Sequence, residues 1–302
     1  MLGEALRGAL RQSSAPDGFR AFLAHHRPAS GTDGSPGGDI GGPAPVLSGF
    51  AGAAREARGW RIEVILAPEP GATGLRDHDG SLPASLVSAS LDHVCTSGGG
   101  DVSLWTCGVR LEVDAPAAAA GLEPTRELVC MTRSLTGGLP RTSLPVRPFR
   151  PGEDEAAWIE VNNRAFSAHP DQGNWDQAVL TEREREPWFD PQGFLLHERD
   201  GVLAGSCWTK VHPGDPLGIS PEAVGEIYVI SVDPGLQGQG LGRSLVLRGL
   251  QYLAARSIRQ AILYTDAGNA PALALYRSLG FEMHHVERCH AGRLPAGAPP
   301  EG

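Results

Sequence analysis

No run of 18 apolar residues occurs anywhere in the chain, so a membrane-spanning helix is not expected. No apolar core of leader length stands near the first residue, so an exported protein is not expected either. Basic residues are short of balance: Lys and Arg total 26 against 35 Asp and Glu, a formal net charge of −9 at pH 7. That sign speaks against nucleic acid or an anionic membrane surface as the main partner. Lys is scarce beside Arg. The five cysteines (Cys95, Cys107, Cys130, Cys207, Cys289) are odd in number and scattered, with no C-x-x-C pair. A disulfide framework or zinc cage is therefore not expected, and a reducing, cytoplasmic setting is. Cys207 and Cys289 have no His–acid partners nearby in sequence and are expected as packed core thiols. His284, His285 and His290 lack a carboxylate frame, so no metal is expected. A monomeric acidic protein of the cytoplasm fits all of these absences.

What the chain does have is length, glycine (40) and proline (25). At 302 residues it can form two domains, each with its own core. Residues 1–13 carry Leu2, Leu6 and Leu10 at helical spacing, 18–26 read as a strand, and 28–45 as a flexible loop of Gly, Ser, Pro and Asp. Strands are expected at 46–53, 60–66, 102–107 and 125–134, with helices at 82–94 and 115–121. The second half repeats that order. Strands at 145–150, 193–198 and 202–210 accompany helices over 153–166 and 182–188, the two later strands meeting at the Asp200-Gly201 turn. Strands near 227–232, 260–265 and 282–289 then alternate with helices ending near Ser257 and Leu279. The pattern predicts an α/β (mixed-sheet α+β) tandem duplication. It comprises a shortened, degenerate domain over 1–138, a linker at 139–145, a catalytic domain over 146–292 and a tail at 293–302.

Glu226 to Ser244 organises the second copy. Ile227, Val229, Ile230 and Val232 read as a buried strand, and Asp233-Pro234-Gly235 stops it. Gly238, Gly240 and Gly242 follow, and from Arg243 an apolar helical pattern begins. Strand, glycine turn and helix N-terminus in that order form an anion site, where backbone N–H groups can close on a phosphate. A dinucleotide fingerprint fails because the third glycine comes one residue early. A P-loop fails because Gln237 and Arg243 stand where Gly and Lys are required. The equivalent turn of the first copy, Pro70 to Leu75, has only scattered glycines.

Gln237-x-x-Gly240-x-Gly242 after a strand ending in Val-Asp-Pro resembles the acyl-CoA loop of the GCN5-related N-acetyltransferase (GNAT) superfamily. Asn269 to Phe281 is similar to a second signature of that superfamily, Asn then Ala then Leu-Tyr-x-x-x-Gly-Phe. More specific strings resemble the mycothiol synthases, a tandem-GNAT family of actinobacteria. They are Phe149 to Asp154, Asn163 to Phe166, His169 to Gly173, Glu186 to Pro191 and Trp208 to Pro213. The resemblance implies two tandem GNAT folds and acetyl-CoA as co-substrate. The acceptor it implies is the cysteinyl amine of a cysteine–glucosamine–inositol conjugate.

Within that resemblance, Gln237, Gly238, Gln239, Gly240, Leu241, Gly242 and Arg243 would cradle the diphosphate. Ile230, Ser231 and Val232 would offer a strand edge to the pantetheine arm. Asn269, Ala270, Pro271, Ala272, Leu273 and Ala274 would begin the helix beside the thiol. Glu226, a carboxylate opening a buried strand, resembles the general base, and Tyr276 the general acid, both beside one thioester carbonyl. Asp171, Lys210, Glu226 and Tyr264 fall where the family contacts its acceptor, Asp171 replacing a more usual Glu. Two alternatives stay open: a GNAT acting on another amine, such as a peptide N-terminus or an aminoglycoside, and a non-catalytic CoA-binding module. The first copy, lacking a basic glycine turn, is not expected to bind CoA.

Overall fold

The computed structural model describes residues 20–26, 46–56, 59–66, 81–107, 111–167, 169, 172–214, 220 and 222–297. The expected helix over 1–13, the loop at 28–45 and the first copy's turn at 70–75 lie outside them. The chain folds as two compact units, one of Met1–Val129, Asp266–Gly268 and His285–Gly302, the other of Cys130–Thr265 and Asn269–His284. These units do not follow the partition at 138. Gly137, Gly138 and the expected linker at 139–145 all lie within the second unit, while the last strand passes from the second unit to the first at His284/His285.

In the first unit, β1 (Arg20–His26) pairs antiparallel with β2 (Val46–Glu56), and β2 with β3 (Gly59–Leu66). Helix α1 (Ser81–Thr96) then crosses over to β4 (Gly100–Cys107), which runs parallel to β3. Ala51 and Ala53 are fully buried on β2. Their small side chains let α1 approach closely, and Val87, Leu91 and Val94 fill the layer between. Helix α2 (Leu111–Ala119) follows, then β5 (Glu123–Ser134), which belongs to the first unit up to Val129 and to the second from Cys130. The strand paired antiparallel with β4 is the C-terminal stretch of β11 (Glu282–Leu294), from Glu287↔Cys107 to Leu294↔Gly100. Of the three terminal histidines, His290 stands 3.2 Å from the Asp114 carboxylate and His285 3.5 Å from that of Glu287.

The second unit repeats the plan. The short β6 (Arg147–Pro148) precedes α3 (Glu155–Ala165) and α4 (Gln177–Glu184), which ends before Trp188. β7 (Phe194–Arg199) and β8 (Val202–His212) form a hairpin. Its turn has Asp200 at φ 55° and Gly201 at φ 76°, the two positive dihedrals a two-residue hairpin loop demands. β9 (Val224–Val232), α5 (Leu241–Ala255), β10 (Gln260–Asp266) and α6 (Ala270–Ser278) complete the unit, in strand order β10-β9-β8-β7-β6. The pair β9–β10 is parallel with a helical crossover, as β3–β4 is, so the duplication predicted from element order is present in both units.

The two faces of the second unit's strands are built differently. On one, α5 lays Leu245, Leu250 and Leu253 against the strands at helical spacing. Gly249 allows that approach, since a Cβ there would lie 2.5 Å from Cys207 Sγ and 2.9 Å from Ile227 Cδ1. On the other, α3 packs Trp158 into an aromatic cluster. Trp208 stacks on Phe194 with centroids 4.3 Å apart, and Trp158 meets Trp208 edge-on at 5.7 Å. The Trp158 indole N–H donates to Ser206 Oγ at 2.9 Å. Among the described residues no helix is long and apolar enough to cross a membrane. Cys95, Cys130, Cys207 and Cys289 are buried and outside any disulfide.

Candidate active site

Alternation along β8 and β9 decides which side chains meet. Gly225 and Ile227 turn to α5, as the contact of a Gly225 Cβ with Leu253 shows, so Glu226 turns to the aromatic face. A register shift opposite Trp208/Thr209 leaves Tyr228 as the extra residue of a β-bulge and adds it to that face. Lys210 is the cross-strand partner of Glu226, with Val224 opposite His212. Glu226, Lys210 and His212 are all buried.

His212 Nε2 lies 2.7 Å from Glu226 Oε2. Burial drives the Glu226 carboxyl upward, but the His212 hydrogen bond and charge, with Lys210 beside them, outweigh it and hold it low, at about 2. Glu226 is thus a buried, ionised carboxylate at neutral pH. Lys210 is the only lysine of the chain. Its Nζ lies 4.4 Å from the Trp188 ring centroid and 5.3 Å from that of Tyr228, a pair of cation–π contacts that stabilises a buried ammonium.

The β9–β10 ladder begins at Val224↔Gln260 and ends at Ile227↔Leu263. β9 nevertheless runs on to Val232 and β10 to Asp266, so the two strands diverge just beyond Glu226, after Ile227. Ile230, Ser231 and Val232 keep their pairing with β8 on one edge, and the other edge faces the gap. Tyr264, two residues beyond Ile262 (the partner of Glu226), stands on the same face as Glu226 across that gap.

After β9, Asp233 stops the strand, its Oδ1 accepting from Gly235 N at 2.9 Å and its Oδ2 from Arg164 at 2.7 Å. Gly238 and Gly240 then adopt φ +76° and +81°, and a Cβ at either would meet nothing within 4 Å. Both the backbone and the open space favour glycine there. Gly240 is the N-cap of α5 and offers no side chain, so the N–H groups of the first turn, in Leu241, Gly242 and Arg243, point outward from a helix start. Gln237 Nε2 donates back to Val232 O, Gln239 Oε1 accepts from Arg199, and Arg243 reaches Ser278 Oγ at 2.8 Å. Asn269 caps α6, its Oδ1 accepting from Ala272 N at 3.1 Å, and Ala270, Pro271, Ala272, Leu273 and Ala274 form the first turns.

Tyr276 sits on α6 with its ring against Phe281. Burial, with the Cys207 thiol close by, pushes its phenol above the ordinary range, so it keeps its proton. Cys207 turns to α5. Glu226 and Tyr276 therefore reach the sheet from opposite faces rather than side by side, and the gap between β9 and β10 is where those faces communicate. Asp171 lies outside the described residues. His212 was not singled out from sequence, where the strand is expected to end at 210; β8 runs on to His212, two residues past Lys210 and four past Trp208, which places it on their face.

The Acetyltransferase (GNAT) family matches residues 156–281, which lie almost wholly in the second unit. The chain is an acyltransferase of the GNAT superfamily. The mycothiol acetyltransferase of Cellulomonas flavigena is 44% identical over 249 residues, 80% of this chain and 69% of that one. That of Acidimicrobium ferrooxidans is 42% identical over 245 residues, 80% and 76% of the two chains. The chain belongs to the mycothiol acetyltransferase family. In fold it is similar to a GCN5-related N-acetyltransferase from Sphaerobacter thermophilus, with a TM-score of 0.61 at 20% identity over 94% of this chain and 99% of that one. A tandem GNAT protein from the clavulanic acid biosynthesis pathway gives 0.52 at 18% identity over 99% and 88%.

Proposed function

We propose that the second unit transfers an acetyl group from acetyl-CoA to the cysteinyl amine of 1D-myo-inositol 2-(L-cysteinylamino)-2-deoxy-α-D-glucopyranoside, forming mycothiol. The observation that carries this reading is the divergence of β9 from β10 just past a buried, ionised Glu226. The names borne by the relatives support the acceptor.

The residues present fit acetyl-CoA. Gln237 to Arg243 would hold the diphosphate through main-chain N–H groups, with open space over Gly238 and Gly240. The free edge of Ile230, Ser231 and Val232 would pair with the pantetheine amides, and Asn269 to Ala274 would flank the thiol end. Bound there, acetyl-CoA supplies the thioester whose carbonyl carbon is attacked.

The acceptor reacts as its neutral amine: as the nitrogen lone pair bonds to the carbonyl carbon, Glu226 accepts the proton the nitrogen loses, directly or through a water. As the C–S bond breaks, its electron pair stays on sulfur and Tyr276 donates its phenolic proton there. The base and the acid lie on opposite faces, so this reading requires both side chains to reach the thioester through the gap between β9 and β10. Asp171, Lys210 and Tyr264 are proposed acceptor contacts. The half-buried Trp188, whose indole N–H is buried without an acceptor, can donate to a hydroxyl of the same substrate. No acetyl-CoA site is proposed for the first unit.

The test is CoA release and product mass with acetyl-CoA and the cysteinyl pseudodisaccharide, against a peptide N-terminus and an aminoglycoside. Turnover confined to the pseudodisaccharide is expected. Turnover of either other amine without it overturns the acceptor, and acetyl-CoA binding without turnover of any amine overturns the enzyme.

A further inference from the structure

Resting on the reading of Glu226 as base, we propose that His212 is a positioning residue for the transfer: it holds one oxygen of the Glu226 carboxylate and turns the other toward the acceptor's amine.

The geometry is local and buried. His212 and Glu226 sit on neighbouring antiparallel strands, diagonal to one another on one face, with side chains 8% and 6% exposed. Nε2 and Oε2 are 2.7 Å apart. Both atoms carry lone pairs, so that separation requires a proton between them, and the imidazole is the donor to an ionised carboxylate. A glutamate side chain has three rotatable torsions. Fixing Oε2 removes most of that freedom and leaves Oε1, which is not engaged in the bond, as the oxygen able to receive a proton. In the step itself the amine proton passes to Oε1 while nitrogen bonds to the carbonyl carbon, and sulfur leaves with the C–S electron pair and takes the Tyr276 proton. His212 keeps its own proton throughout.

The other charged and titratable groups on this face are Lys210 on β8, Tyr228 on β9 and Tyr264 on β10, with Glu155 on α3 and Glu184 at the end of α4. Of these, Lys210 supports the ionised form of Glu226, and more weakly than His212 does. Without His212, burial dominates and the carboxyl takes up a proton at higher pH.

The test compares kcat and its pH profile between about pH 4 and pH 9 for the unaltered protein, H212A, H212Q and E226Q. H212A is expected to lower kcat about tenfold, the scale for losing a partner that orients a reacting group. The acetyl-CoA KM should stay within about twofold of the unaltered value, since the variant lies outside the proposed CoA contacts. The acid limb of H212A should rise above the usual carboxylate range. H212Q, whose amide N–H can donate to the same oxygen, should recover most of kcat and bring the limb back down. A folded H212A with the unaltered kcat and pH profile overturns the inference. If E226Q is inactive in that case, only the positioning role has failed; if E226Q turns over normally, the base assignment has failed. Should H212A not fold, the 15N-imidazole NMR signals of the unaltered protein and E226Q decide. A His212 Nε2–H signal that shifts in E226Q supports the bond, and one that does not move overturns it.

Discussion

Substitution at Gly240 separates two reasons for a glycine in the turn before α5. The residue has φ +81°, and a Cβ there meets no protein atom within 4 Å. Gly240→Ala therefore strains only the backbone, by about 1–2 kcal/mol for an L-residue held left-handed. In a unit of about 150 residues that lowers Tm by roughly 2–8 °C. Gly240→Asn, which tolerates this conformation far better, should lower it by about 2 °C or less. Both side chains nevertheless project into the space where a diphosphate would rest. Hydrogen bonds to a charged group contribute about 1.5–3 kcal/mol each, so displacing one raises the acetyl-CoA Kd about 10- to 100-fold. Gly242→Ala is the control, because its Cβ would make ordinary contacts at 3.7 and 3.9 Å with Val232 and Leu275. Calorimetric titration with acetyl-CoA and a thermal melt on each variant make the measurement. Weak binding in both Gly240 variants, with stability lost mainly in Gly240→Ala, is expected. Unchanged Kd in both refutes the cradle.

Three further outcomes follow from the same packing and charges. Gly249→Ala drives a methyl into Cys207 Sγ and Ile227 and should destabilise the unit by about 1–3 kcal/mol in urea; adding Cys207→Ala should restore some of this, and purely additive losses would contradict the contact. Burial pushes the Cys207 thiol up to about 12, so alkylation at pH 8 should leave it unlabelled until the chain unfolds, and rapid native labelling would contradict its placement. Glu226 is ionised in the fold down to about 2 but protonates near the usual carboxylate value, about 4.3, when unfolded. Its stabilisation is therefore complete above that value and lost as pH falls through the window toward 2, so E226Q should lose less stability between those limits than the unaltered protein. An equal or steeper loss in E226Q would contradict the depressed value.

Much of the second unit was legible because local rules sufficed. The Asp200-Gly201 hairpin, the strand ending at Asp233, the glycine turn and the apolar stripe of α5 are each written within about twenty residues. What sequence did not show depends on partners far apart in the chain. Trp188 covers Lys210 from a loop after α4, and no local signal joins them. Pairing of β4 with the end of β11 joins residues 180 to 194 positions apart, so composition could not place the division between units. The bulge at Tyr228 and the divergence of β9 from β10 are set by register, which an apolar run does not specify. In sequence His212 falls beyond the strand expected at 202–210, at the start of a Gly/Pro-rich stretch, and a lone histidine there gives no hint of a carboxylate 14 positions later.

Turnover of E226Q at saturating acetyl-CoA and cysteinyl pseudodisaccharide tests the assignment of the base most directly. A fall of about 10²-fold or more in kcat, with the acetyl-CoA Kd barely changed, is the predicted result. Turnover equal to that of the unaltered protein would contradict it.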